Sequence, residues 1–355
     1  MVNVIRQTDH SPDSYKSKKL KNKKHIFTIL IVLLIIVFMA DLFTGNAKIS
    51  FSEGINALFG TSGNEIIDEI IFNYRLPKAI TALLAGSALS IAGLLMQTLF
   101  RNALAGPDVL GVSAGAGLGV AFLTLLSGTS IYPFIASLGS MAQIIIAISG
   151  ATLVLLLILA VSTRINDSVT ILVLGMIFGY VASAAITILQ SFADPDSLKI
   201  FVTWTFGSLG AVTWDKMPLL VTLITAGVIL VFFLQKALNS LLLGEKYATS
   251  IGLNVKRLRV IIIIITAIIT GAITAFTGPI AFVGIVIPHF ARSFFSTVNH
   301  KTTIPATLLL GGILLISCDI ISQIPISNRT LPINAVTAVF GAPMIVWIVL
   351  KRKKL

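Results

Sequence analysis

LPKAITALLAGSALSIAGLLMQTLF, residues 76–100, carries a single charged side chain, Lys78. At about 1.5 Å of rise per residue, such a helix crosses a hydrocarbon core of about 30 Å. Working outward, comparable apolar runs recur at 26–43, 108–127, 134–161, 168–190, 217–235, 258–277, 281–297, 303–323 and 332–350. The chain has 355 residues, 56% hydrophobic and 11% charged, too few charges to cover a soluble domain of this length. The bilayer is therefore its solvent. Backbone groups in lipid must be satisfied internally, so the expected fold is all-α, a polytopic membrane helical bundle of about ten transmembrane helices.

The net charge of +12 invites a nucleic-acid reading. The basic residues instead gather at the termini and in short loops, the pattern of the positive-inside rule, so no nucleic-acid partner is expected. With both termini cytoplasmic, 20 of the 26 lysines and arginines fall inside. Outside are Lys48, Arg75, Lys78, Lys199, Lys216 and Arg329. The expected location is a cell inner membrane, with lipid as the surrounding partner. Residues 1–25 form a basic cytoplasmic tail, 26–350 the transmembrane domain and 351–355 a basic C-terminus. The apolar run from Ile26 to Phe43 resembles a signal peptide, but no small-x-small site closes it, and it reads as an uncleaved first span.

Small residues form stripes at Ala82, Gly86 and Ser90, and at Gly111, Gly115 and Gly119. Such stripes let helix backbones approach closely in lipid. Gly106-Pro107 and Gly278-Pro279 lie 172 residues apart with five spans between them, as an inverted internal repeat would place them. Gly-Pro also simply punctuates helix ends, and the spacing alone leaves both readings open.

Little catalytic chemistry is visible. His10 and His25 fall in the tail, His300 in a loop, and only His289 in a span, where an interfacial or packed role outweighs a ligand role. Asp319 is the one well-embedded acid. It reads as a structural hydrogen-bonding residue, because no second ionisable group accompanies it at helical spacing. Cys318 is the only cysteine, so neither an internal disulfide nor a cysteine metal cage is expected. No cofactor or metal site is expected. No Gly-x-x-x-x-Gly-Lys-Ser/Thr loop occurs, so an ATP-driven process would need a partner ATPase. The basic segment at about 239–256 fits a docking site for one, and equally an ordinary amphipathic loop.

Four stretches together resemble the FecCD-type permeases, the membrane subunits of ABC importers for iron–siderophore complexes, haem and cobalamin. Arg75-Leu76-Pro77-Lys78, with Ala85-Gly86 and Gly93, is similar to the family's second span. Arg101 to Pro107, then Leu110 to Gly115, resembles its re-entrant turn. Gly244-Glu245-Lys246-Tyr247-Ala248 with Ile251-Gly252 resembles its coupling loop. Gly278 to Gly284, Pro288-His289, Leu331-Pro332-Ile333 and Gly341-Ala342-Pro343 resemble its C-terminal half. Ala103 stands where the family usually has proline, and Thr330 where glutamate is frequent.

The resemblance implies a permease with no enzymatic activity of its own. It would work as a dimer with a second copy or a paralogue, bound by cytoplasmic ATPase subunits and served by an extracytoplasmic substrate-binding protein. It implies ATPase coupling through Gly244, Glu245, Lys246, Tyr247 and Gly252, and a cytoplasmic gate near Asn166, Asp167 and Ser168. Arg75 and Lys78, joined by Arg329, would dock the binding protein, although plain snorkelling is the simpler use of such cations. Iron(III)–siderophore complexes are the first expectation for the cargo, then haem and cobalamin. An ion-coupled secondary transporter is the rival, and it needs paired intramembrane acids. A membrane-embedded lipid enzyme would need an interfacial cluster of His, Asp or Glu.

Overall fold

The computed structural model describes residues 12–45, 47, 49–59, 61, 63–125, 141–162, 168–323 and 330–352. Fourteen helices are found among the described residues. They are α1 (Pro12–Phe43), α2 (Phe51–Leu58), α3 (Glu65–Leu99), α4 (Val112–Leu125), α5 (Ala142–Ser162), α6 (Ser168–Phe192) and α7 (Pro195–Thr205). There follow α8 (Met217–Phe233), α9 (Gln235–Leu242), α10 (Glu245–Ser250), α11 (Val255–Thr277), α12 (Val283–Phe295), α13 (His300–Ser322) and α14 (Ile333–Arg352). Each of the ten expected spans overlaps one of these helices, while residues 126–127 and 134–140 of two of them lie outside the described residues. Among the described residues, six are long and apolar enough to cross a membrane alone, and α8 with α9, bent by 58°, makes a seventh. Three shorter apolar helices, Val112–Leu125, Val283–Phe295 and Ile333–Ile348, account for the rest.

Two boundaries differ from the sequence reading. Helix α1 starts at Pro12, inside the stretch read as a polar tail, and its apolar part begins at Lys23. Helix α3 starts at Glu65 rather than at the Leu76-Pro77 step, so Pro77 lies inside a helix. Proline lacks an N–H, and its ring collides with the carbonyl four residues back. The chain absorbs this by widening to a π-helix over Ile70–Arg75, where the Leu76 N–H reaches the Ile71 carbonyl. In that register the Phe72 carbonyl would need the N–H that Pro77 does not have. The indole Nε1 of Trp214 donates to it instead, at 2.9 Å.

Helices α3 and α11 are the most enclosed spans, each with 78% of its apolar window buried. They touch each other, and each packs into the opposite half of the chain: α3 against α12 and α13, α11 against α4 and α5. The α4–α5 pair recurs as α12–α13, and contacts of α4 and α5 with α6 recur as contacts of α12 and α13 with α14. This crossed pairing relates the halves as the two Gly-Pro steps suggest.

The small-residue stripes are the crossing points. A Cβ on Gly93 would collide with the backbone of Gly284, and one on Gly115 would lie 2.6 Å from the Gly150 carbonyl oxygen. The Gly111 stripe divides between two neighbours: Gly111 meets Gly175 and Gly179 on α6, while Gly115 and Gly119 meet α5. Side-chain caps begin several elements, with Ser50 and Glu53 reciprocal at α2, Asp194 at α7, Asn254 at α11 and Asn299 at α13.

Candidate functional site: the two ends of the bundle

One end is built around α9 and α10. Leu234 and the bend place α9 across the bundle, where it buries Leu238 and Leu241 against α3 and α13. Gly244 then turns the chain with φ +118° and ψ 150°, a conformation essentially reserved for glycine. Helix α10 buries only Ala248, and Lys246, Tyr247 and Ile251 are exposed. Gly252, with φ +87°, ends this short hairpin in open space.

Glu245 Oε1 lies 3.1 Å from Nη2 of Arg259, a buried residue of α11. The groove between them, about 520 Å³, is lined by Glu245, Thr249, Gly252, Asn254, Lys256 and Arg259. The five residues expected to form a coupling loop thus lie together on one short, exposed hairpin. It exposes Tyr247 and Ile251 beside the charged residues that line the groove.

The hairpin is tied to the core through groups the sequence reading missed. His300 is not in a loop. It is the first residue of α13 and is 1% exposed. Asn239 Oδ1, on α9, accepts from the His300 backbone N–H and faces the ring Nδ1, both at 2.9 Å. The ring Nε2 lies 3.0 Å from Thr98 Oγ1 on α3. Beside them Arg292 of α12 donates to Gln97, whose amide donates to the Ile285 carbonyl at 2.9 Å. The asparagine five residues before Gly244 is the one sequence signal that could have pointed here.

At the opposite end lie the N-terminal part of α3 and the C-termini of α1 and α13. Arg75 is buried, and its guanidinium donates to the carbonyls of Leu42 at 3.0 Å and Ala47 at 2.6 Å. Lys78 Nζ lies 2.9 Å from Asp319 Oδ2. The expectation that Asp319 lacks an ionisable companion looked only along its own helix; its companions come from α3 and α1. Gln323 Nε2 donates to Asp319 and to Asp41. Asn166, Asp167 and Arg329 lie outside the described residues, and Ser168 is described only as the first residue of α6. Among the described residues no group of three or more His, Cys, Asp or Glu side chains could hold a metal ion.

Residues 33–351 match the FecCD transport family. The chain is 30% identical over 326 residues to the hemin transport system permease HmuU of Yersinia pestis, covering 92% of this chain and 95% of that one. It is 34% identical over 281 residues to the vitamin B12 import system permease BtuC of Salmonella paratyphi A, covering 79% and 83%. A solved structure assigned to a metal-chelate type ABC transporter, in an inward-facing conformation, superposes with a TM-score of 0.79 at 27% identity, over 92% of this chain and 99% of that one.

Proposed function

This chain belongs to the FecCD transport family, and we propose on that premise that it is the transmembrane permease subunit of an ATP-driven, binding-protein-dependent importer carrying iron(III)–siderophore complexes. The observation that carries the reading is the α9–α10 hairpin. It is turned by a glycine-only conformation and exposes Lys246, Tyr247 and Ile251, and Asn239 and His300 join it to the core helices α3 and α13. An ATPase bound there could bias two states of the bundle, as alternating access requires. Gly244, Glu245, Lys246, Tyr247 and Gly252 are the coupling residues on this reading. Asn166, Asp167 and Ser168 close the cytoplasmic end against a second permease copy or a paralogue. Arg75, Lys78 and Arg329 are the candidate cations for an acidic binding-protein surface.

Likeness supports the cargo class, and the iron(III)–siderophore complex is the proposal within it. Relatives are named for hemin and vitamin B12, and a structure for metal chelates, which supports a metal-complex cargo. Haem and cobalamin are the alternatives within that class. Co-purification of the partner binding protein with its ligand decides among the three: a bound iron–siderophore complex is expected, and haem or a corrinoid would replace it.

One observation favours a second reading. Asp41 and Asp319 both bond Gln323, so intramembrane acids are paired after all, as an ion-coupled carrier would need. Lys78 and Arg75 supply two cations beside them. Reconstituted vesicles separate the readings. Uptake is expected to require ATP and to survive collapse of proton and sodium gradients, whereas gradient-driven uptake without ATP would replace the importer.

A further inference from the structure

Two carboxylates and two cations from three helices meet at the Arg75 end of the bundle. Asp41, near the end of α1, and Asp319, near the end of α13, are 3% and 2% exposed. The Gln323 amide donates to Asp41 Oδ1 at 2.9 Å and to Asp319 Oδ2 at 3.0 Å, bridging the acids. Lys78 Nζ approaches the same Asp319 oxygen at 2.9 Å. One turn earlier on α3, Arg75 takes the carbonyl of Leu42, which the end of α1 leaves without an intrahelical donor, and that of Ala47 just beyond the helix.

We propose that Arg75 and Lys78 form an internal staple that fixes α1 to α3 and α13, and that Lys78 is the positioning counter-ion of Asp319 rather than a cation for docking the binding protein. Three physical points carry this. Helix α1 has only 17% of its apolar window buried, so packing holds it weakly. Between helices in lipid no hydrophobic force acts, and interhelical polar contacts specify the neighbour. Drawing Lys78 out to an acidic partner would leave two buried carboxylates without it, a cost that an exposed rim ion pair does not repay. The staple makes α1 move as one body with α3 and α13. It narrows the docking reading by taking Arg75 and Lys78 out of it, and only its uptake arm below rests on the importer reading.

The test uses the full chain, alone and then in vesicles with its ATPase and binding protein. Lys78→Met is expected to lower the melting temperature by several degrees or to block insertion. Adding Asp319→Asn should recover about half of that loss, because the uncompensated carboxylate is gone. In uptake, Lys78→Met should cut the maximal rate about fivefold while the half-saturating binding-protein concentration moves less than about twofold. The swap Lys78→Asp with Asp319→Lys should regain a large part of the rate. An unchanged melting temperature for Lys78→Met overturns the staple whether or not the chain is an importer. An unchanged maximal rate with a half-saturating concentration raised about fivefold at low salt restores Lys78 to docking.

Discussion

Glu245 shows how one side chain serves both the hairpin's shape and its surface. It opens α10, where the first-turn N–H groups favour an acid, and it reaches the buried Arg259 of α11. Glu245→Lys puts a second cation beside Arg259 and removes a charged hydrogen bond worth about 1–3 kcal/mol. The expected outcome is loss of substrate-stimulated ATP hydrolysis with normal membrane insertion; full stimulation would remove Glu245 from the coupling site. Gly244 and Gly252 separate geometry from space. Neither has a close neighbour that a Cβ would strike, so only the positive φ penalises substitution there. Gly244→Val should cost about 1–3 kcal/mol of backbone strain, confined to the hairpin. Hydrogen exchange at residues 244–252 would accelerate while α11 stayed protected.

At the scale of elements, helix crossings and helix ends carry the fold. Gly93 lets α3 lie directly on Gly284 of α12. A leucine there has no flexible side chain to displace, only backbone, so Gly93→Leu is expected to abolish stable insertion. Gly210→Ala, whose new methyl meets nothing closer than the Lys78 chain at 4.0 Å, should be silent. Accumulation of both variants in membranes checks the contrast.

Helix α7 makes a pH-dependent case. Hydrogen bonds from Ser197, then Asp196, hold the Asp194 carboxyl below its ordinary value of 3.8. A depressed carboxylate adds stability above its unfolded value and loses it as pH falls through the folded one. The start of α7 should therefore stay protected in hydrogen exchange at neutral pH and fray below about pH 3.8. Asp194→Asn, which still caps, should flatten that dependence, and an unchanged acid profile would remove the cap from the account.

For the whole molecule, the positive-inside rule predicts that the α10 end faces the cytoplasm. The only cysteine, Cys318, is 1% exposed, so the native chain offers a quiet background for labelling. Lys246→Cys on α10 and Asp196→Cys on α7 are exposed positions on the two faces that the positive-inside rule separates. In intact cells an impermeant maleimide should label Asp196→Cys at once and Lys246→Cys only after lysis. The reverse result would invert the topology and move the coupling hairpin to the wrong side for an ATPase.

The sequence alone was enough to determine the all-helical fold, the apolar helices that underlie the expected spans and the small-residue stripes. Each is a property of a continuous segment: apolar length for a span, fourfold spacing for a stripe. The segment proposed for coupling was also legible, because Gly244 to Gly252 are nine consecutive residues and the two glycines mark its turns. What only the tertiary structure decided is what joins distant segments. Pro77 reads locally as a helix start, and only Trp214, 142 residues away from Phe72, makes a helix interior tolerable there. His300 reads as a loop residue until Thr98 and Asn239 close around it. Asp319 reads as a solitary acid until Lys78 and Asp41 arrive from two other helices. Charge and hydrogen-bond partners in lipid are found across helices, because each helix satisfies its own backbone and leaves only side chains to choose its neighbours.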